Sequence, residues 1–171
     1  VGKILGPERA MKSGLGGASI LVEGLIVNAL VAVNAFDDVV DPESGQIIAG
    51  ALTEDGTFLD TEQRLREERL RFDSALTNTT IGVVMTNASL TKTQATKVAQ
   101  IAHDGIARAI RPVHTMLDGD TVFCLGTGQV AAEPNQVGSL AAQAMTQTIV
   151  RAIYTAKGAG GIPAARDLGK R

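Results

Sequence analysis

The chain is poor in the residues from which redox, metal and nucleic-acid sites are usually built. Its one cysteine, Cys124, lies in the apolar stretch 122–125, which excludes an internal disulfide and fits a reducing, cytoplasmic compartment. A small buried hydrophobic residue is a more natural interpretation of this cysteine than a catalytic thiol. The two histidines, His103 and His114, lie far apart without metal-ligand spacing, so we predict no metal and no other cofactor.

Charge of one sign and long apolar runs are also missing. The chain has 16 Lys and Arg against 18 Asp and Glu, scattered among one another, and aromatic residues make up only 3%. Because there is neither a basic stripe nor an aromatic stacking platform, nucleic acid is not a predicted partner. No stretch approaches the roughly 18 apolar residues of a membrane span, and none resembles a signal peptide, so no membrane association is predicted.

The length of 171 residues predicts a single domain with a hydrophobic core. The chain opens at Val1 without an initiator methionine, and we therefore expect it to be the interior of a longer protein. Residues 1–17 are rich in glycine and lysine and predict a loop. The tail after Lys157 is again rich in glycine, and we expect it to be poorly ordered.

Strands are predicted first along the chain. The apolar stretches 18–22 and 25–36 flank Glu23-Gly24 and predict a β-hairpin. Its second strand is so continuously apolar that we expect both faces to be covered. Residues 46–52 predict another short strand. Residues 61–72 predict an exposed charged helix with i,i+4 ion pairs, which would also serve as a mobile connector.

The second half of the chain alternates strands and helices. It predicts strands over 78–86 and 121–125 and helices over 91–110 and 136–157. Thr91 begins the first of these helices with a capping-box pattern. Gly105 inside that helix costs about 1 kcal/mol against alanine, so we expect a close packing contact there. This order of elements predicts an α/β sandwich of sheets with helices outside.

The triplet Asn78-Thr79-Thr80 at the head of a strand is the first candidate site. In the ordinary interpretation it is polar turn chemistry that leads into the strand. If the peptide bond before the first threonine is cut, however, the hydroxyl acquires its own base, an α-amine with an unperturbed pKa of ~7.7–8.0. Asp118 and Asp120 bracket Gly119 before the next strand, either as a plain turn or as carboxylates that hold an ammonium group.

Three stretches make the chain similar to a known family. They are Asn78-Thr79-Thr80-Ile81-Gly82-Val83-Val84 with Thr86-Asn87, then His114-Thr115-Met116-Leu117-Asp118-Gly119-Asp120-Thr121, and Lys3-Ile4-Leu5-Gly6-Pro7-Glu8-Arg9-Ala10-Met11-Lys12-Ser13-Gly14-Leu15-Gly16. The family is that of the self-processing L-aminopeptidase/D-esterase (DmpA-type) peptidases, with the nylon-oligomer (6-aminohexanoate-oligomer) hydrolases as close relatives. The resemblance extends to about Lys157. We expect an upstream portion of the family, outside this sequence, to supply further substrate-pocket residues.

The resemblance implies an α/β fold, the αββα sandwich of the N-terminal-nucleophile hydrolases, which ornithine acetyltransferase also resembles. It implies self-cleavage between Asn78 and Thr79, which makes Thr79 the nucleophile. Residues 1–78 would then form the C-terminal part of an α chain, and residues 79–171 would form the β chain.

Four further catalytic residues follow from the same resemblance. Asp118 and Asp120 match the nylon-hydrolase pattern Asp-Gly-Asp, in which the first orients the threonine hydroxyl and the second holds its ammonium group. Lys3 matches an active-site lysine of that branch. Asn34 matches an asparagine that helps to bind the oxyanion.

The implied function is an autoproteolytically activated amide hydrolase that acts through an acyl-enzyme. Its substrate would be a small amide or peptide, as for an aminopeptidase, an amidase or a 6-aminohexanoate-oligomer hydrolase. Two alternatives stay open, an acyltransferase that resembles ornithine acetyltransferase and a non-catalytic relative that never matures. The small residues of the helices and the habits of the family predict a homo-oligomer, namely a homotetramer.

Overall fold

The computed structural model describes residues 1–67 and 78–169. Their strands are β1 (Leu15–Val22), β2 (Leu25–Ala32), β3 (Asp38–Val40), β4 (Ile47–Ala49), β5 (Ala51–Leu52), β6 (Phe58–Leu59), β7 (Ile81–Ala88), β8 (Ile110–Arg111) and β9 (Thr121–Val130). Their helices are α1 (Thr61–Glu67), α2 (Lys92–Ala109) and α3 (Pro134–Thr155), with 3-10 turns at Pro7–Arg9 and Ala165–Leu168.

A four-stranded sheet in the order β1-β2-β7-β9 forms the centre of the fold. β1 and β2 form the predicted hairpin, which turns at Glu23 and Gly24, both with positive φ. β7 pairs antiparallel with β2 and parallel with β9. The end of β2 therefore lies beside the beginnings of β7 and β9. Loops from distant parts of the sequence meet at this edge.

Helices α2 and α3 cover one face of the sheet, and the predicted capping box begins α2. The Thr91 hydroxyl accepts from the Gln94 backbone N–H, and the Gln94 side chain accepts from the Thr91 N–H. The close contact expected at Gly105 is confirmed, since a Cβ there would lie 2.2 Å from the Ala142 carbonyl oxygen of α3. The two helices pack nearly backbone to backbone at this point.

The opposite face of the sheet is apolar and exposed. It carries Leu15, Leu21, Ile26, Leu30, Ile81, Phe123 and Leu125, with exposed fractions from 37% to 68%. β2 thus alternates between buried and exposed residues, and the prediction that both its faces are covered is wrong within the described residues. In an αββα sandwich, such a face packs against a second sheet.

A small sheet in the order β4-β3-β8 lies beside the main one. All three residues of β3 are buried. The strand predicted over 46–52 is divided at Gly50 into β4 and β5, because the Gly50 backbone lies against the Asp38 carboxylate and a Cβ would stand 2.3 Å from its Oδ1. Because β3 is the next strand after β2, this small sheet holds the segment that follows β2 in place.

Within the described residues, the N-terminal segment and the tail as far as Gly169 are more ordered than predicted. Met11 is buried within the predicted loop 1–17, and β1 already begins at Leu15. The tail packs back on this segment, because the Lys12 N–H donates to the Pro163 carbonyl at 2.7 Å and Ala164 is fully buried. β9 also continues through Gly126 and Gly128 to Val130, beyond the predicted end at residue 125.

The predicted charged helix is described only in part. α1 is described as far as Glu67, and its Glu62–Arg66 pair is present at 3.6 Å. The second predicted pair, with Arg71, and the predicted connector lie outside the described residues. Among residues 1–67 and 78–169, no helix has the length and apolar character needed to cross a bilayer.

The packing at Gly105 gives a stability prediction. Gly105→Ala should lower the free energy of unfolding by about 2 kcal/mol or more, because a methyl group would press on a backbone oxygen that cannot rotate away. Gly138→Ala in α3 is the matched control, since its Cβ would meet the flexible Ile101 side chain, with Cδ1 at 2.6 Å. Urea unfolding of both variants of the full-length protein measures the difference. Equal losses would contradict the backbone contact.

Candidate active site

The triplet Asn78-Thr79-Thr80 is held from both sides just before β7. The Thr79 N–H donates to the Asn34 carbonyl at 3.1 Å, on the β2 side. The Thr80 N–H donates to Asp120 Oδ1 at 2.8 Å, on the β9 side. Asn78 and Thr80 are buried, whereas Thr79 is half-buried. The triplet is therefore a fixed backbone segment whose middle side chain is accessible.

The Asn78 carbonyl oxygen accepts two hydrogen bonds. The Gly119 backbone N–H donates to it at 2.8 Å, and the hydroxyl of Thr79 donates to it at 2.6 Å. Gly119 also lies against that hydroxyl, since a Cβ on it would stand 2.9 Å from Thr79 Oγ1. A hydroxyl is thus in contact with the carbonyl group of the preceding residue, and that carbonyl is polarised by a fixed N–H donor.

Lys3 joins the N-terminal segment to the site. Its ammonium group donates to Asn34 Oδ1 at 2.7 Å, to the Asn34 carbonyl at 3.3 Å and to Asn78 Oδ1 at 2.7 Å. Burial lowers the pKa of Lys3, and the Asp118 and Asp37 carboxyl groups oppose that shift by their charge. Because an ammonium group only donates, Lys3 fixes which end of the Asn34 amide faces it.

Asp118 is bound by donors from two segments. Its Oδ2 accepts from the Thr115 hydroxyl at 2.7 Å and from the Thr115 N–H at 3.1 Å. Its Oδ1 accepts a long hydrogen bond from the Phe36 N–H at 3.4 Å. Asp118 thereby ties the loop that carries Gly119 to the segment after β2. In this state, the hydrogen bond of the Thr79 hydroxyl goes to the Asn78 carbonyl.

Both histidines reach the site through Asp120, whose side chain is only 4% exposed. His114 Nδ1 lies 2.9 Å from Asp120 Oδ2, and His114 Nε2 lies 3.3 Å from His103 Nδ1. Burial, and secondarily the charge of His114, lower the pKa of His103, while Asp120 and Asp104 raise it. Within the described part of the chain, no group of three or more His, Cys, Asp or Glu is placed to hold a metal ion.

All six residues predicted from the sequence come together at this edge of the sheet. They are Lys3, Asn34, Asn78, Thr79, Asp118 and Asp120. Their catalytic roles stay predictions. Thr115 and His114 were not predicted as site residues, although both stand in the motif around Asp118. Asp37 was not predicted either, although its apolar context indicates burial.

The fold places the chain in a known structural class. It is similar to the structure of L-aminopeptidase D-Ala-esterase/amidase from Ochrobactrum anthropi, with a TM-score of 0.61 and 20% identity over 94% of this chain and 47% of that one. That structure is described as a new variant among the Ntn hydrolase fold. The predicted α/β fold of N-terminal-nucleophile type is thus confirmed.

The sequence profile of Peptidase family S58 matches residues 8–165, and the chain belongs to this family. An uncharacterized aminopeptidase of Mycobacterium tuberculosis (strain ATCC 25618 / H37Rv) is 36% identical over 184 residues, which cover 93% of this chain and 53% of that protein. A 6-aminohexanoate-oligomer endohydrolase of Kocuria sp. (strain KY2) is 27% identical over 88 residues, 44% of this chain and 25% of that protein. The predicted family is confirmed, and the chain spans about half the length of the aminopeptidase.

The histidine contacts predict that two substitutions shift the pKa of His103 in opposite directions. His114→Gln should raise the pKa of His103, because the charge interaction with His114 that lowers this pKa is removed. Asp120→Asn should lower the pKa of His103, because a neighbouring negative charge is removed. Imidazole resonances followed by NMR against pH, assigned with a His103→Gln variant, measure both shifts. Shifts of the same sign in both variants would contradict the observed contacts.

Proposed function

We propose that the protein is an N-terminal-threonine amide hydrolase that matures by cutting itself between Asn78 and Thr79. The observation that supports this most directly is the 2.6 Å contact from the Thr79 hydroxyl to the Asn78 carbonyl oxygen. Membership of Peptidase family S58 supports chemistry on amide bonds. The cut would leave residues 1–78 in an α chain and residues 79–171 as a β chain.

The proposed cleavage is an N-to-O acyl shift followed by hydrolysis. Thr79 Oγ1 attacks the Asn78 carbonyl carbon, and the Gly119 N–H, 2.8 Å from the carbonyl oxygen, stabilises the developing oxyanion. The C–N bond breaks, the hydroxyl proton ends on the Thr79 nitrogen, and an ester remains. Water then hydrolyses the ester to an Asn78 carboxylate and a Thr79 with free amine and hydroxyl groups.

In the mature enzyme, the Thr79 amine would take the proton of its own hydroxyl during attack on a substrate amide. The resulting acyl-enzyme releases the amine product and is hydrolysed by water. We assign Asp118 to orient the hydroxyl and Asp120 to hold the new ammonium group. The second assignment is supported by the hydrogen bond from the adjacent Thr80 N–H to Asp120. Asn34, with its amide oriented by Lys3, would bind the substrate oxyanion.

The proposed substrates are small peptides and amides. This follows from the aminopeptidase names of relatives that match most of the chain. The match to 6-aminohexanoate-oligomer endohydrolases is shorter, so these oligomers are the second group of substrates to assay.

A homotetramer stays a proposal. The small residues of α3 face inward, with Ala141, Ala144 and Ala152 fully buried in the fold itself. They are therefore not available to a subunit interface, and the resemblance to the family is the remaining support.

Self-cleavage is tested by the fragments that the full-length protein yields. Intact mass and N-terminal sequencing should find a fragment that begins at Thr79, and Thr79→Ala should abolish it, because alanine has no hydroxyl. Thr79→Ser should still cleave. Thr80→Val is the matched control, since the buried Thr80 hydroxyl has no hydrogen-bond partner among the described residues. A cut in Thr79→Ala, or a fragment with another first residue, would refute the proposal.

The position of the Thr79 hydroxyl against the Asn78 carbonyl is tested at Gly119. Gly119→Ala should slow self-cleavage by at least about tenfold, because a methyl group 2.9 Å from Thr79 Oγ1 displaces the hydroxyl from the carbonyl. Gly17→Ala in β1 is the control, since its Cβ would make only ordinary contacts of 3.7 Å and longer. The rate is followed by the loss of precursor on gels. An unchanged rate in Gly119→Ala would argue against this geometry.

A further inference from the structure

Asp37 is a buried acid beside the site, and the proposed chemistry does not yet use it. Its side chain is completely buried, and neither carboxyl oxygen has a hydrogen-bond donor within reach among the described residues. An ionised carboxylate in such a place lacks both water and donors, which is strongly unfavourable. The carboxyl group therefore needs either a proton or a partner.

The groups that face Asp37 are mainly acids. They are Asp118 and Asp120 from the loop before β9, Asp38 from β3, and the Lys3 ammonium group from the N-terminal segment. Burial raises the pKa of Asp37 to about 8, and Asp118 adds to this both by its charge and by its hydrogen bond to the neutral acid. Two neighbouring carboxyl groups, of which Asp37 is fully buried, cannot both ionise cheaply, so one of them keeps a proton.

Of the pair Asp37 and Asp118, Asp118 has the surroundings that suit a carboxylate. Its two oxygens already accept from the Thr115 hydroxyl, the Thr115 N–H and the Phe36 N–H. Donors of this kind favour the charged form of a carboxyl group. Asp37 has none, so the shared proton resides on Asp37.

We propose that Asp37 is a positioning residue of the self-cleavage site, a neutral acid that donates its hydrogen to the Asp118 carboxylate. The donation would hold Asp118 against the segment after β2, and with it the loop whose Gly119 N–H meets the Asn78 carbonyl. Ionised Asp37 would instead repel Asp118 and loosen that loop. This inference rests on the proposed self-cleavage, and it adds the requirement that Asp37 stays protonated.

The pH profile of self-cleavage tests the proposal. Full-length precursor from cell-free synthesis is transferred to buffers from about pH 6 to about pH 9.5, and the cleavage rate is measured on gels. The wild-type rate should fall about tenfold or more above pH 8, as Asp37 ionises. Asp37→Asn keeps a donor toward Asp118 at every pH, so its rate should fall much less. The same alkaline fall in both proteins would overturn the proposal.

Asp38→Asn is the matched control, because Asp38 is equally buried but accepts from the Ala51 and Thr61 N–H groups. Burial raises the pKa of Asp38 only to about 6, so it is already ionised at the alkaline limb. The Asp38→Asn protein should therefore retain the wild-type fall in cleavage rate above pH 8. If the Asp38→Asn protein lost that fall, the fall would be caused by Asp38 and not by Asp37, which would contradict the proposal.

A second readout does not need cleavage. In the uncut Thr79→Ala protein, the infrared band of a protonated carboxylic acid should be present at pH 7 and vanish by about pH 9.5. Stability gives the same sign: folded Asp37 holds a proton that the unfolded chain loses near pH 4, so Tm falls as pH rises from about 4 to about 8. Asp37→Asn should remove that part of the fall.

The two readouts separate the two proposals. An acid band and pH-dependent Tm without any wild-type cleavage would refute self-cleavage but support the Asp37–Asp118 proton. Cleavage at Thr79 without an acid band and without a change in the pH profile of Asp37→Asn would refute the role of Asp37 alone.

Discussion

The site depends on the pair of hydrogen bonds at the Asn78 carbonyl, one from the Gly119 N–H and one from the Thr79 hydroxyl. The two donors are positioned by different strands. The parallel register of β7 and β9 brings the loop of Gly119 beside residue 78, while the end of β2 holds Thr79 through its N–H. A hydrogen bond to a fixed backbone donor needs no reorganisation during reaction, so its value lies in how rigidly the sheet edge holds it.

Electrostatics imposes the second constraint. One ammonium group, Lys3, stands near two acids, Asp37 and Asp118, at a half-buried edge, and Asp120 also faces Asp37. If Asp37 and Asp118 were both ionised, Lys3 would leave one negative charge without a counter-charge in a poorly solvated site, which is unfavourable. A proton on Asp37 lowers that imbalance by one charge. The geometry around Asp118 therefore depends on the protonation state of Asp37 as well as on packing.

Much of this structure could be predicted from local sequence patterns. The hairpin at Glu23-Gly24, the capping box at Thr91 and the tight contact at Gly105 follow from turn chemistry and helix propensity, and all three are present. The grouping of the six site residues came from resemblance, because no spacing rule brings Lys3 to Asn78 across 75 residues. The packed tail escaped prediction since its glycines resemble a flexible end, whereas Ala164 is buried by a tertiary contact. Asp37 was not predicted, because its apolar neighbours indicate burial but not which other acid it meets or whether it keeps a proton.

The exposed apolar face links the site to the rest of the sandwich. Ile81, which immediately follows the triplet at Asn78, and Phe123 in β9 lie on this face, half exposed. A contiguous face of large hydrophobic side chains is unfavourable in water, and in the αββα class a second sheet covers it. Covering this face would press on the same strand beginnings that position Asn78 and Gly119. We therefore expect the precision of the site to depend on packing against both faces of the central sheet. Among the described residues, helices α2 and α3 cover one of these faces.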